Sequence, residues 1–382
     1  MLKRIIKYVL CLQIIFIFLT GLAITPINFA DANNKEQTSA DAMAVIESSS
    51  GRLLYSKDEN KKLPMASTTK ILTAIVAIEN CKDLKEKHEI QKEAVGIEGS
   101  SIYLRQGEFL SIEELLYGLM LRSGNDSAVA IAIIVGGSVE NFVNMMNDLC
   151  KKLGLKNTNI VTVNGLHDDN HYTTASDLAA ITRYAMQNET FKQIVSTKET
   201  KIDNTKSKKE KVRFLKNKNK LLKMIDGADG VKTGYTKKAG KCFVGSATRN
   251  GMQIICVVLN CANMFDDCAN LINQAFNEYK LCTLVKAGVF TSINIDNKKL
   301  QNISIILKKD IIYPLNSDEI SKISAKVVLR DDLKSSIYKT NEVGILQLSV
   351  ENNLIFSEKL YTINVYKKDG FNDYVKKIVT AF

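Results

Sequence analysis

The stretch Ser67 to Glu79 constrains the fold more than any other segment. It reads as a helix that is apolar on nearly every face, and a helix without a polar side has to be buried among other elements. With 382 residues, 45% apolar and 24% charged, the chain has the material for a sizeable core and more than one domain. Ala42 to Ile46 predicts a strand, Ser48-Ser49-Ser50-Gly51 a turn, and Arg52 to Tyr55 the returning strand of a hairpin. Pro64 ends that extended stretch just before the apolar helix. Further helices are expected at Ile112 to Leu121, Ser127 to Val135, Val139 to Leu153, Ala175 to Gln187 and Ala262 to Tyr279. Strands at Lys241 to Thr248 and Met252 to Leu259 are joined by the turn Arg249-Asn250-Gly251. Helices around an antiparallel sheet drawn from both ends of this region account for the order, an α+β class of fold.

The texture changes after Tyr279. From Leu284 to Val365 helical periodicity is weak, and short alternating runs such as Ile303 to Leu307, Ala325 to Leu329 and Gly344 to Val350 stand between turn residues. A small all-β domain over 284–368 is the expectation. In the last stretch, 369–382, Phe371, Tyr374, Val375, Ile378, Val379 and Phe382 form one helical face. Such a helix, at 371–382, either lies on a membrane surface or docks on the β domain. At the other end Lys3, Arg4 and Lys7 precede an apolar run from Tyr8 to Ile24, with small residues at Ala30 and Ala32. Residues 1–30 read as a secretory signal peptide, the alternative being an uncleaved anchor, and either places the chain outside the cytoplasm.

Charge and cysteine usage narrow the partners. The formal net charge is +11, and Lys198 to Lys223 alone holds eleven Lys or Arg against Glu199, Asp203 and Glu210. A solvated hairpin is favoured there over a basic rim facing anionic wall polymer or lipid head groups. Nucleic acid is disfavoured as a partner by export and by the few aromatics in that stretch, and none is expected. Of eight cysteines Cys11 falls in the leader, no Cys-x-x-Cys pair occurs, and most of the rest sit in apolar runs such as Ile254 to Val258. Cys261 and Cys268 are near enough in sequence to pair but more simply remain core residues. With only His88, His167 and His171, neither a metal site nor a cofactor is expected.

Three short motifs carry the chemistry. In Ser67-Thr68-Thr69-Lys70 the spacing places Lys70 on the same helical face as the Ser67 hydroxyl, while the helix start offers backbone N–H groups to an oxyanion. Apolar surroundings lower an ammonium pKa, so Lys70 can accept the serine proton. Ser123-Gly124-Asn125 falls between two helix patterns, where a tight turn can aim both side chains into a cleft; alone it reads better as a helix cap. Lys232-Thr233-Gly234 enters a strand, its glycine lets a substrate backbone approach, and Lys232 with Thr233 offers a cation and a hydroxyl to a carboxylate. Each motif is weak by itself, and Ser336 to Lys339 repeats the first with no role assigned. Their conjunction, with starts 56 and 109 residues apart, points to serine acyl transfer with lysine as base.

With these motifs in place the chain resembles the low-molecular-mass penicillin-binding proteins of the D-alanyl-D-alanine carboxypeptidase type. The resemblance covers Asp41 to Tyr279 well and the β domain more loosely. It also rests on Ser48 to Tyr55, on Gly165 to Leu178, on Asn217 to Leu222 and on Tyr235-Thr236 after the third motif. It implies a penicillin-binding, β-lactamase-like domain over 35–280. It further implies that Ser67 attacks the carbonyl between two terminal D-alanines of a peptidoglycan stem peptide. Lys70 would be the base, Ser123 would relay a proton to the leaving amine, and Asn125 would hold a substrate amide. Lys232 and Thr233, with Gly234 behind them, would bind the terminal carboxylate. The N–H groups of Ser67 and Tyr235 would hold the oxyanion, and β-lactams would trap the serine. Many relatives add an arginine beyond the second hairpin strand, whereas no basic residue occurs here from Cys256 through Tyr279. Two rivals stand beside this reading. A class A β-lactamase needs a deacylating glutamate, for which Glu140 in Glu140 to Asn144 is the nearest match; a catalytically silent wall-binding protein would need no chemistry at all.

Overall fold

Residues 40–47, in strand β1 (Ala40–Glu47), are buried almost without interruption, which only a strand covered on both faces achieves. In the computed structural model, which describes residues 38–203, 212–293, 303–330 and 341–363, β1 folds back on β2 (Leu53–Lys57). The helical part follows: α1 (Lys70–Asn80), the short strands β3 (Lys87–Glu89) and β4 (Phe109–Ser111), then α2 (Ile112–Leu121), α3 (Asn125–Gly136) and α4 (Val139–Lys152). After a long loop come α5 (Ala175–Ala185), α6 (Glu189–Ser196) and the hairpin β5 (Glu199–Asp203) with β6 (Val212–Lys216). The chain then returns to the main sheet as β7 (Ala228–Thr236), β8 (Gly240–Arg249) and β9 (Met252–Cys261), and closes with α7 (Met264–Glu278). The sheet order is β2-β1-β9-β8-β7, so the first strand of the region pairs with the last, Met43 opposite Val258.

Alternation sorts the sheet residues onto two faces. Ala42, Ala44, Val244, Ile255 and Val257 face the α1–α6 layer. Met43, Val45, Phe243, Cys256 and Val258 face α7 through Cys268, Ile272 and Ala275. Helix α1 is buried from Lys70 through Ala77, as its lack of a polar face requires. The turn Asn250-Gly251 has both residues at positive φ, 50° and 80°, the geometry that a two-residue hairpin connection prefers.

The second domain is all-β. One sheet has β11 (Gly288–Ile293), β12 (Ile303–Leu307), β16 (Asn353–Thr362), β15 (Glu342–Val350) and β14 (Ile323–Leu329) in that order, and β10 (Lys280–Val285) pairs with β13 (Ile311–Leu315). Arg52 ties the two domains together. Its guanidinium donates to Pro314 O at 2.5 Å, pairs with Glu319, and lies over the rings of Tyr279 and Tyr313.

Several local expectations shift. The Ser67 segment begins as a 3₁₀ turn, Ala66–Thr69, and becomes an α-helix only at Lys70, because Ala66 sits at φ 47° and blocks an earlier α start. Helix α3 starts two residues before Ser127, at Asn125. Helix α6, capped by Asn188, continues past the predicted end at Gln187 as a separate element. The basic stretch does form a hairpin over its described part. Among the described residues all seven cysteines, Cys261 and Cys268 included, are free thiols. Residues 1–30, 336–339 and 369–382 lie outside the described residues.

Candidate active site

The first motif is shaped by side chains that bond back to their own turn. Thr68 Oγ1 donates to Met65 O (2.6 Å) and Thr69 Oγ1 to Ala66 O (2.7 Å), which satisfies carbonyls that a 3₁₀ turn leaves exposed. Thr69 Oγ1 in turn meets His171 Nε2 at 2.8 Å. Because His171 Nδ1 accepts from the N–H of Val161 (3.0 Å) and of Thr162 (3.3 Å), its proton resides on Nε2 and is donated to Thr69. Burial lowers the His171 pKa to about 4. The native state thus resists protonation that the unfolded chain accepts near 6.5, and stability present above pH 6.5 is lost as pH falls toward 4. A loss of about 3 kcal/mol over that window is expected. Denaturant unfolding at pH 7 and pH 4.5 checks it, since His171→Gln should show a smaller difference between the two.

Gly165 holds the opposite side of the turn. At φ 82° it packs so closely that a Cβ would stand 1.9 Å from Ala66 O. Gly165→Ala therefore combines backbone strain with a backbone clash that cannot relax locally. It should cost at least about 2 kcal/mol and slow Ser67 chemistry, readable as a lower thermal midpoint together with slower penicillin uptake.

Lys70 is the centre of the site. It is wholly buried, and Nζ lies 2.9 Å from Ser67 Oγ, 2.7 Å from Asn125 Oδ1 and 2.5 Å from Asn164 O. The Asn125 orientation is fixed by Nδ2 donating to Glu98 O at 2.6 Å. Burial holds the Lys70 pKa well below the usual lysine range, and the charges of Lys232 and Lys218 push it further down. A neutral amine has two N–H groups and one lone pair. The two groups that can only accept, Asn125 Oδ1 and Asn164 O, take the N–H groups, so the lone pair faces the Ser67 hydroxyl.

The other motif residues arrive from two further elements. Ser123, buried and at φ 63°, follows the C-cap of α2 and stands two residues before Asn125, the first residue of α3. Strand β7 forms the edge of the main sheet and brings Lys232 inward, where it is buried and donates to Thr233 O at 2.9 Å. Burial, then the charge of Lys218, lowers its pKa to about 7. Thr233 is half-buried and Tyr235 exposed. A Cβ on Gly234 would lie 3.0 Å from Ser67 N and 3.1 Å from Thr68 N, so glycine allows the strand to run against the serine turn. An edge strand keeps backbone groups available for an extended ligand.

Sequence reasoning left out three contributors. Asn164 supplies the carbonyl on Lys70, and His171 holds the serine turn. Lys218, whose Nζ donates to Ser100 Oγ at 3.1 Å, is a third cation in the cluster, reaching it from the loop after β6 and not from beyond β9. Both the Gly165–Leu178 and Asn217–Leu222 segments were visible as motifs, but nothing in sequence said what they touch. Glu140 is exposed in the first turn of α4, a poor place for a deacylating base.

A serine held against a desolvated lysine at a sheet edge is an arrangement suited to serine acyl transfer, and it points to that class of enzyme. The comparisons with known proteins agree. Residues 29–263 match the family model described as D-alanyl-D-alanine carboxypeptidase, and 279–368 match the C-terminal domain of penicillin-binding protein 5. The chain belongs to the D-alanyl-D-alanine carboxypeptidase family of serine peptidases. It is 30% identical to the D-alanyl-D-alanine carboxypeptidase DacF of Bacillus subtilis over 93% of this chain and 94% of that one. Identity to the D-alanyl-D-alanine carboxypeptidase DacC of Escherichia coli is 28%, over 91% and 89%. Penicillin binding protein 5 of Haemophilus influenzae superposes with a TM-score of 0.76 at 26% identity, covering 88% of this chain and 99% of that one.

Proposed function

We propose that this chain is a serine-type D-Ala-D-Ala carboxypeptidase that removes the terminal D-alanine from peptidoglycan stem peptides. Ser67 Oγ attacks the carbonyl between the two D-alanines while its proton passes to neutral Lys70. The N–H groups of Ser67 and Tyr235 hold the oxyanion. Ser123 passes a proton to the leaving amine, Asn125 orients the acyl portion, and Lys232 with Thr233 receives the terminal carboxylate. Water then hydrolyses the ester on Ser67. A β-lactam enters the same path and stays, because its ring-opened ester retains the leaving group. The observation that carries this reading is the placement of Lys70 Nζ between Ser67, Asn125 and Asn164.

Peptidoglycan lies outside the cytoplasm, so the enzyme acts there. Export by residues 1–30 and attachment to the membrane surface through 371–382 belong to the same proposal; the leader-like and amphipathic patterns support them. The test is mass spectrometry of the full chain after incubation with benzylpenicillin, paired with release of D-alanine from a D-Ala-D-Ala tripeptide. A stable adduct together with D-alanine release is expected. Rapid penicillin turnover without D-alanine release would instead establish a β-lactamase.

A further inference from the structure

Beside the cleft runs a second depression of about 540 Å³, between the loop 97–108 and the β5–β6 hairpin, lined by Ser101, Tyr103, Arg122, Arg213, Phe214 and Leu215 among others. Both walls are pinned. Asp126 accepts from Ser101 Oγ (2.5 Å) and from the N–H groups of Ile102 (3.1 Å) and Leu104 (3.0 Å). Arg213, from β6, grips the fully buried Glu108 with both terminal guanidinium nitrogens and also donates to Tyr103 O at 3.0 Å. Fixed between these ties, Tyr103 is 80% and Phe214 74% exposed. Lys201 lies 5.2 Å from the centre of the Phe214 ring. Two large aromatic side chains held in water at one groove mark a binding surface better than a folding requirement.

The two arginines differ. Arg213 is committed to Glu108 and to carbonyls. Arg122 makes one long contact, 3.5 Å to Lys216 O, and has no carboxylate partner among the described residues. As the C-cap of α2 it complements the helix dipole, yet its charge remains open to a ligand. The groove adjoins the Ser123–Asn125 turn. Arg122 directly precedes Ser123, the Asn125 N–H donates to Ser100 O at 2.7 Å, and Asn125 contacts Lys70.

We propose that this groove is a subsite for the acyl-donor side of the stem peptide, taking a long aliphatic side chain that ends in a carboxylate. The chain packs between Tyr103 and Phe214, and the carboxylate pairs with Arg122. This rests on the proposed carboxypeptidase reaction, in which Lys232 and Thr233 occupy the leaving-group end and leave the Ser123–Asn125 side for the acyl portion.

Two tripeptides ending in Lys-D-Ala-D-Ala test it, one acetylated and one succinylated on the lysine Nε, so that they differ by a terminal carboxylate. The full-length enzyme should favour the succinyl substrate about fivefold in kcat/KM, an amount suited to a partly exposed ion pair. The preference should shrink toward one at 0.5 M NaCl and in Arg122→Gln. Phe214→Glu, at an exposed position, places a competing carboxylate across the groove and should abolish it as well. A ratio near one in the native enzyme, with penicillin still captured on the serine, overturns the subsite and leaves the carboxypeptidase reading standing. A preference that survives Phe214→Glu, or Arg122→Gln, overturns the assignment of residues. Failure of the native enzyme both to capture penicillin and to release D-alanine removes the reaction itself and the subsite with it.

Discussion

Ser67→Ala is expected to abolish the covalent penicillin adduct and to lower D-alanine release by about 10⁴-fold or more, the scale on which removal of a nucleophile is felt. The reason is that, among the described residues, Ser67 is the one hydroxyl hydrogen-bonded to Lys70, whose other partners are the Asn125 amide and the Asn164 carbonyl, neither of them a nucleophile. Losing one small side chain at a half-buried turn leaves the Thr68 and Thr69 bonds intact. The mutant should therefore unfold at nearly the native temperature while failing to gain mass with penicillin. An adduct that persists in Ser67→Ala would place the reacting group elsewhere and end the proposed mechanism.

The second large effect concerns Lys70. Lys70→Met keeps the length and removes the base, and acylation should fall by about 10³-fold or more. The native enzyme should show a bell-shaped pH dependence of kcat/KM with both limbs set by lysines. On the acid side Lys70 must lose its proton; because burial and the charges of Lys232 and Lys218 lower its pKa, activity rises at far lower pH than an ordinary lysine would allow. On the alkaline side Lys232 must keep its proton to hold a carboxylate, and with a pKa of about 7 in the free enzyme that contribution declines above neutrality. Lys232→Arg retains charge at every accessible pH and should move the alkaline limb upward while leaving the acid limb in place. An alkaline limb that does not move would remove Lys232 from carboxylate binding.

Much of the architecture was legible because single stretches carried it. The nearly all-apolar run Ile71 to Ala77 demanded enclosure, and the alternating segments after Tyr279 demanded sheet. The boundaries that moved are the ones set by contacts across the chain. Ala66 takes a positive φ beside Gly165, nearly a hundred residues away, and this bars an α-helix from starting before Ser67. The β3–β4 pair and α6 were missed because each is too brief to build a periodic signal.

Sequence by itself determined which chemical groups this protein owns: an alcohol three residues from an amine on one helix, an amide after a tight turn, a cation and a glycine on a strand. Tertiary structure alone decided that the amine is usable. Its pKa is governed by the absence of water and by two other cations from distant segments, Lys218 and Lys232, and the direction of its lone pair by two acceptors, Asn125 and Asn164. Burial and electrostatic distance are properties of the folded arrangement, and no spacing along a chain encodes them.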